Sequence, residues 1–477
     1  MTKKLIFMGV MALLLASLGV VFVLLNREEP KTSSSSSSLP PAEYVADLSG
    51  EEYGGVASVT VKNAGGEFTV SAGDPPVLEA YNEYVTNNYP LSRTISVSQA
   101  LYSRETVADN PEDLALFGLD APRAEVRIRP VKGGELILHV GSDAPDGYSV
   151  YVRKEGSPSV YLANSSDTEN YLKKAVDFFD LEISPAGEQE GAMPDFERIV
   201  LGGAVRNGQE TAVYKSEEEE TDTKRVIANP LRISAGSLDG GLNMDKGWNA
   251  LSPLFGLSAD RVAAVAGEGD LARYGLDKPY STAAVSGTLG QGLGGFSLRV
   301  SKPDASGNVY IRREGSDLVY EAAASKLPWL ELGWFDLMNH MIILPFIDSV
   351  AKVEVITPRR TVTFALSGEE DDLKVSADGK EIETSHFRTY YQTLLYASYD
   401  EYTTETLPPG AAPFLEIRYH YRSGSPADTV SFYATGSRRV LVSFNGAKPF
   451  YTLSVYTDRV LADLDSLLAG NKVMPYI

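Results

Sequence analysis

Residues 117–122 read Phe-Gly-Leu-Asp-Ala-Pro, and residues 274–279 read Tyr-Gly-Leu-Asp-Lys-Pro. Further matches follow in the same order, since Val-Tyr-Val-Arg-Lys-Glu-Gly-Ser at 150–157 reappears as Val-Tyr-Ile-Arg-Arg-Glu-Gly-Ser at 309–316. Several matches at a near-constant offset indicate copies of one structural unit, and such repeats decide an architecture. The signature positions are Phe117, Gly118, Leu119, Asp120 and Pro122 in the first copy, and Tyr274, Gly275, Leu276, Asp277 and Pro279 in the second.

The signature has a structural explanation that needs no ligand. Glycine adopts the left-handed conformation that ends a helix, and the aromatic residue before it can pack on the core. An aspartate can accept hydrogen bonds from nearby backbone amides in a turn, and proline favours an extended entry into the next strand. We therefore expect a structural signature, with a binding role as the alternative.

Around the signature, alternating apolar and polar residues predict β-strands in each copy. Each copy is expected to open with a strand pair and to continue through a helical stretch into a four-stranded antiparallel meander. A helix then closes it, predicted over 168–176, 322–332 and 458–468. The third copy is degenerate, because Leu-Pro-Pro-Gly at 407–410 stands in place of the signature. The predicted fold class is α+β, with three tandem β-rich modules over 56–182, 195–338 and 348–469.

The N-terminus predicts a membrane anchor. After Lys3 and Lys4, residues 5–25 form an uncharged apolar run that, as a helix, spans roughly 30 Å, the thickness of a bilayer core. A cleaved signal peptide is the alternative, although its apolar region would be shorter. The positive charges before the run place residues 1–4 in the cytoplasm and the bulk of the chain outside the cell membrane, as a single-pass protein. Residues 26–50, which include six consecutive serines, are expected to form a Ser/Pro-rich tether.

Composition limits the partners. The chain of 477 residues has no cysteine and a formal net charge of −21. A phosphate backbone would be repelled by such a field, so nucleic acid is not expected as a partner. Disulfides and thiolate metal sites are excluded because the sequence has no cysteine.

No motif predicts chemistry. The four histidines, His139, His340, His386 and His420, lack a metal-ligand spacing, and the glycine cluster at 287–295 lacks the Gly-Lys-Ser/Thr of a phosphate loop. Acidic runs at 217–220 and 369–372 are interpreted as solvated loops because no calcium-loop spacing is present. We therefore expect no catalytic residue, no metal site and no cofactor.

The longest apolar segment outside the N-terminus begins with Trp329 and runs to Phe346. Packing between modules is the preferred interpretation, and a surface that faces a partner or the membrane is the alternative, because exposed apolar patches mark interfaces. The candidate interface residues are Trp329, Trp334, Phe335, Met341 and Phe346.

One apolar N-terminal run followed by repeated Tyr-Gly-Leu-Asp-x-Pro and a short meander resembles the bacterial family called domain of unknown function 4340. The resemblance is strong over 114–182 and 271–338 and weak in the third copy. It implies an extracytoplasmic accessory subunit, because members are often found beside subunits of ABC transporters, and it implies no catalytic residues. Two hypotheses remain: a non-enzymatic scaffold or binding subunit that partners an ABC-type permease, and an envelope hydrolase that acts on cell-wall glycan or peptide.

Overall fold

The computed structural model describes residues 43–186, 194–216, 230–287 and 294–476. The chain divides into two compact units, Met1–Phe178 and Phe179–Ile477. The predicted cytoplasmic residues 1–4, the anchor at 5–25 and most of the tether lie outside the described residues. The last eight residues of the predicted tether are described, and five of them form a strand, Glu43–Asp47. In the part of the chain that the structure describes, no helix has the length and apolar character that crossing a membrane requires.

The first unit contains an eight-stranded antiparallel sheet in the order β4-β3-β2-β7-β8-β9-β10-β6 and a separate pair, β1-β5. A twelve-residue helix lies between the opening strands and the meander. The elements are β1 Glu43–Asp47, β2 Val56–Asn63, β3 Gly66–Ser71, β4 Val77–Leu78, α1 Asn88–Gln99, β5 Ala100–Ser103, β6 Glu105–Asp109, β7 Ala124–Pro130, β8 Leu136–Asp143, β9 Ser149–Lys154, β10 Ser159–Asn164 and α2 Ser165–Thr168.

The second unit contains two further sheets. Its first sheet has nine strands in the order β14-β13-β12-β11-β16-β17-β18-β19-β15. The elements are β11 Arg198–Gly202, β12 Thr211–Lys215, β13 Leu231–Ala235, β14 Leu238–Gly241, α3 Lys246–Leu251, β15 Arg261–Val265, β16 Ser281–Ser286, β17 Phe296–Val300, β18 Asn308–Arg313, β19 Leu318–Ala323 and α4 Trp334–Leu337.

The other sheet of this unit has eight strands in the order β23-β22-β21-β20-β24-β25-β26-β27. Its two helices pack against each other, and the Tyr456 hydroxyl donates to the Leu394 carbonyl at 2.9 Å. The elements are β20 Val350–Ile356, β21 Thr361–Ser367, β22 Lys374–Ala377, β23 Lys380–Ile382, α5 Thr384–Leu395, β24 Leu415–Tyr421, β25 Asp428–Ala434, β26 Arg439–Phe444, β27 Phe450–Leu453 and α6 Ser454–Leu468.

The three large sheets repeat one topology, so the repeated β-rich architecture and the α+β class predicted from the sequence are confirmed. In each sheet the first strand of the opening hairpin pairs antiparallel with the first strand of the meander, as β2-β7, β11-β16 and β20-β24. In the first two sheets a strand before the meander also pairs with its last strand, as β6-β10 and β15-β19. The third sheet keeps only a single bridge there, Glu401 with Tyr451.

Residue alternation explains why these segments are strands. Along β7 the buried positions Val126 and Ile128 alternate with exposed arginines, and β24 alternates in the same way. Successive side chains of a strand point to opposite faces, so one face of each sheet meets a helix-covered core and the other meets water. On α5, Phe387 and Tyr390 lie on the buried face and contact Phe364 of β21 at ring distances of 5.0 and 5.8 Å.

Of the three predicted closing helices, the third lies within α6, and the other two differ from the structure. Residues 168–176 do not form one helix, because α2 ends at Thr168 and two 3-10 helices follow, Glu169–Leu172 and Ala175–Phe178. The helix over 322–332 is wrong, because β19 continues to Ala323 and only Ala324–Lys326 is helical before α4. Pro328 explains the break, since a proline disfavours the helical conformation of the residue before it, and Leu327 has φ −119° and ψ 67°.

An aromatic cluster joins the two sheets of the second unit. Phe450 of β27 contacts Tyr399 at a ring distance of 4.4 Å and Trp334 and Phe335 of α4 at 6.0 and 6.1 Å. Burial raises the pKa of Tyr399 to about 12. The chain after α4 also makes backbone hydrogen bonds to both parts of the unit. Asn339 N donates to the carbonyl of Gly241 in β14, and Tyr399 N, which follows α5, donates to the His340 carbonyl. The second and third sheets therefore share an apolar contact.

This contact generates a test. Replacing Phe450→Ala removes a buried ring that touches both sheets, and we expect the free energy of unfolding to fall by about 3 kcal/mol. Chemical denaturation of the purified chain measures it. Val455→Ala on α6, where the side chain is 61% exposed, is the control and should cost under about 0.5 kcal/mol. Equal effects of the two substitutions would contradict a packed contact at Phe450.

Candidate functional site

The signature forms a helix-ending turn in both copies. Gly118 has φ 63° and ψ 26°, and it follows the 3-10 helix Leu114–Phe117. Gly275 has φ 67° and ψ 26° after the 3-10 helix Glu268–Tyr274. In each copy the amide of the following leucine donates to a carbonyl five residues back at 3.0 Å. Only glycine takes this left-handed conformation without strain, so the backbone explains the residue.

The aromatic and leucine positions of the signature pack inward. Phe117 meets Tyr151 edge to face at 5.1 Å, and Tyr274 meets Tyr310 at 5.2 Å in the same arrangement. The leucines that follow the glycines, Leu119 and Leu276, are buried. Pro122 precedes β7 and Pro279 precedes β16, where each restricts the entry to the strand.

The two aspartates differ from the expectation. Asp120 and Asp277 are exposed, and among the described residues neither side chain accepts a hydrogen bond. A different carboxylate holds the first turn, because Asp113 accepts a hydrogen bond from the Ala115 amide at 2.8 Å. The carboxylate that both copies of the signature carry is therefore not explained by backbone capping.

The two turns differ in how closely they approach the sheet. A Cβ added at Gly118 would lie 2.8 Å from the Ser142 amide nitrogen, whereas one at Gly275 would lie 3.7 Å from the Ser301 Cβ. In the first copy Gly141 leaves room for the Phe117 carbonyl. In the second copy Ser301 replaces that glycine, and its hydroxyl accepts a hydrogen bond from the Tyr310 amide at 2.8 Å. The first turn packs more tightly.

A cleft of about 260 Å³ lies beside the first turn. His139 of β8 and Arg153 of β9 are directly opposite each other in the strand register. The Arg153 Nε donates to the Ser157 carbonyl at 3.0 Å, which fixes the direction of the guanidinium. Both side chains are half-buried. The lining residues are Leu119, His139, Arg153, Glu155 and Gly156.

The same place in the second sheet is occupied by side chains of the chain itself. Arg299 of β17 and Arg312 of β18 are the cross-strand pair, and Arg312 Nε donates to the Ser316 carbonyl at 2.7 Å. The Glu268 carboxylate lies 3.3 Å from the Arg299 guanidinium and 3.2 Å from that of Arg312. The Asp317 carboxylate also lies 3.3 Å from the Arg312 guanidinium, at the same terminal nitrogen that Glu268 contacts. These carboxylates close the site, and Arg312 is buried.

Two of the remaining histidines, His420 and His340, contact side chains of their own sheet or of a neighbouring segment. The His420 ring lies 2.8 Å from the Glu354 carboxylate, which also accepts from Lys352 at 2.8 Å. Lys352 and His420 hold the pKa of Glu354 below its usual range. The His340 ring stacks on Phe335 at 4.4 Å. Within the described ranges, no group of three or more His, Asp or Glu is placed to hold a metal ion.

The other sequence features are placed as follows. The acidic run 217–220 and residues 288–293 of the glycine cluster lie outside the described residues, although β16 and β17 on either side of that cluster pair antiparallel. The acidic run 369–372 contains a short 3-10 helix, Glu370–Asp372, whose first amide is bonded to Asp348.

The candidate interface residues divide into three environments. Trp334 and Phe335 belong to the aromatic cluster between the second and third sheets. Met341 is 42% exposed, although its backbone bridges Ser398. Trp329 is buried in the second sheet's core, and Phe346 is 50% exposed.

Arg206 is a buried charge that the sequence analysis did not single out. Its guanidinium donates to Ser281 Oγ at 2.8 Å and to the carbonyls of Gly202, Trp329, Leu330 and Leu332 at 2.7–3.3 Å. Burial lowers its pKa to about 10, so the side chain stays cationic at neutral pH. All of these acceptors are neutral groups of the fold. Arg206 is therefore a structural clamp that ties the 3-10 helix Ala204–Arg206 to residues 329–332, which precede α4.

Together these features define an α+β protein with repeated antiparallel sheets and a polar cleft in the first of them. The profile of the family described as Domain of unknown function (DUF4340) matches residues 77–263 and 249–412. The chain belongs to this family. The first match runs from β4 to β15, and the second runs from α3 to the loop before β24, so each match spans parts of two successive sheets. No curated protein and no solved structure matches the chain.

The difference between the two turns can be measured. Gly118→Ala adds the strain of a left-handed alanine, about 1–2 kcal/mol, and a clash with the Ser142 amide. Gly275→Ala adds the strain alone, because its nearest contact is 3.7 Å away, so we expect Gly118→Ala to lower the free energy of unfolding by at least about 1 kcal/mol more. Gly147→Ala, with φ 78° and no atom within 4 Å of the new Cβ, is the matched control in the first sheet. Hydrogen exchange at the Leu119 and Leu276 amides would report the stability of each turn. Equal losses of stability in Gly118→Ala and Gly275→Ala would contradict the tighter packing of the first turn.

The clamp generates a second test. Arg206→Met keeps the aliphatic length but leaves four backbone carbonyls without their donor, so we expect a loss of about 3–5 kcal/mol in unfolding free energy. Arg438→Met, at an exposed position in the turn between β25 and β26, should change the free energy of unfolding by under about 0.5 kcal/mol. Chemical denaturation distinguishes the two, and a small effect at Arg206 would show that water replaces the guanidinium.

Proposed function

We propose that this chain is a non-enzymatic scaffold or binding subunit on the outer face of a cell membrane, where it serves an ABC-type transport system. The observation that carries the proposal is the repetition of one sheet topology three times along the chain. Duplicated sheets multiply the surface available for contacts, whereas catalysis needs one asymmetric set of groups.

The use of the signature supports the same proposal. Gly118, Gly275 and their neighbouring aromatic and leucine residues are occupied with turn formation and packing in both copies. The repeated motif therefore builds the scaffold, and recognition falls to positions at which the copies differ. In the first sheet a cleft lies open at the place where the second sheet has internal ion pairs.

In this proposal residues 5–25 remain in the bilayer, residues 1–4 face the cytoplasm, and the sheets stand outside the membrane. The apolar run and the two lysines before it support this arrangement. The net charge of −21 would keep the sheets away from anionic lipid headgroups, which favours a protein partner in the membrane over the lipid surface itself.

Anchoring and partnership are tested together. The full-length chain should resist alkaline extraction from membranes and should co-purify with an ABC-type permease subunit after mild detergent extraction. The control is the same chain with residues 1–25 replaced by a cleavable signal sequence, which should be exported but released from the membrane. Recovery of the full-length chain only as an isolated monomer would contradict the partnership, and cell-wall hydrolysis by the purified chain would favour a hydrolase.

A further inference from the structure

We propose that the cleft of the first sheet binds a carboxylate group, received between His139 and Arg153 in the place that Glu268 occupies against Arg299 and Arg312 in the second sheet. The inference is independent of membrane anchoring and of any transport partner. It assigns a ligand chemistry to a site that the repeated signature itself does not explain.

The equivalence of the two sites is fixed by strand register. His139 pairs with Arg153 across β8 and β9, and Arg299 pairs with Arg312 across β17 and β18. The two arginines of β9 and β18 also have the same orientation, since each Nε donates to the carbonyl four residues ahead. The comparison is therefore between matching side chains on matching strands.

The internal carboxylates are what the first site lacks. The position of Asp317 is taken by Pro158, which cannot pair with Arg153. The connection that carries Glu268 is one residue shorter in the first sheet, and Glu112 on it forms no ion pair with the described residues. Within the described part of the chain, no carboxylate pairs with Arg153, and this residue lines the cleft.

Guanidinium and imidazole N–H groups are donors that match a carboxylate, and charge-assisted hydrogen bonds are about twice as strong as neutral ones. Glu155 lies at the rim of the cleft and would oppose an anion. In the second sheet the equivalent residue, Glu314, is present while Glu268 pairs with Arg312. A carboxylate at this position therefore does not prevent a second carboxylate from binding the arginine. Leu119 supplies an apolar wall, and Gly156 leaves the cleft open because it has no side chain.

The experiment uses the full-length chain in detergent with ¹³C-labelled histidine, because only four histidine signals have to be resolved. The probes are acetyl-Gly-Glu-Gly-amide, which presents a glutamate side chain as Glu268 does, and acetate, a free small carboxylate. Acetyl-Gly-Gln-Gly-amide and sodium chloride at equal ionic strength are the controls. We expect the His139 signal to shift with a saturable dependence at millimolar peptide, while His340, His386 and His420 stay in place.

Two variants make the test specific. Arg153→Gln should weaken binding of the glutamate peptide at least about tenfold, whereas Arg129→Gln, at a side chain that is 70% exposed in the same sheet, should not. Pro158→Asp places a carboxylate at the position of Asp317 and should weaken binding to a similar extent, whereas the neutral Pro158→Asn should not. The other three histidines lie in the second unit, so hydrogen exchange at the Leu119 amide, which is bonded to the Leu114 carbonyl, shows that the first unit of each variant is folded.

The outcomes divide clearly. Tighter binding of the glutamate peptide than of acetate assigns the cleft to an acidic side chain of a polypeptide, and equal binding assigns it to a free small carboxylate. No shift of His139 with either probe, or full binding by Arg153→Gln, overturns the proposal. Neither result bears on co-purification with a permease, so the proposed function is judged separately.

Discussion

Each large sheet depends on one long-range strand pairing. The opening hairpin and the meander are both local structures, and β2-β7, β11-β16 and β20-β24 are the pairings that join them into a single sheet. The connection between the paired strands runs through a helix, so closing it costs conformational entropy before any contact forms. Buried residues such as Val59 and Val126, which face the core from both partners, offset that cost.

The same pairing determines which parts of the fold the sequence could predict. Period-2 alternation depends on one strand and its buried face, and β24 shows this alternation along its whole length. Short edge strands such as β14 and β23 lack enough residues to show a period, and they were missed. The helix predicted over 322–332 is wrong because β19 continues to Ala323 and Pro328 interrupts the backbone after Ala324–Lys326.

The cleft was harder to predict than the sheets for a physical reason. His139 and Arg153 are fourteen positions apart, and only the strand register places them opposite each other. A usable signal was nevertheless present, because aligning the two copies sets Arg299 against His139 and Asp317 against Pro158. Arg206 left no comparable signal, since its acceptors are backbone carbonyls, which every residue carries.

Divergence between copies explains how a repeated scaffold can acquire one exchangeable site. A carboxylate fixed on the same chain has an effective concentration far above that of a free ligand, so Glu268 would exclude any external carboxylate from the second sheet. Its ion pairs also complete the burial of Arg312, which then serves stability alone. In the first sheet the arginine is retained in the same orientation without that partner. The Arg153 guanidinium therefore has donors left for a ligand that supplies the charge which Glu268 supplies in the second sheet.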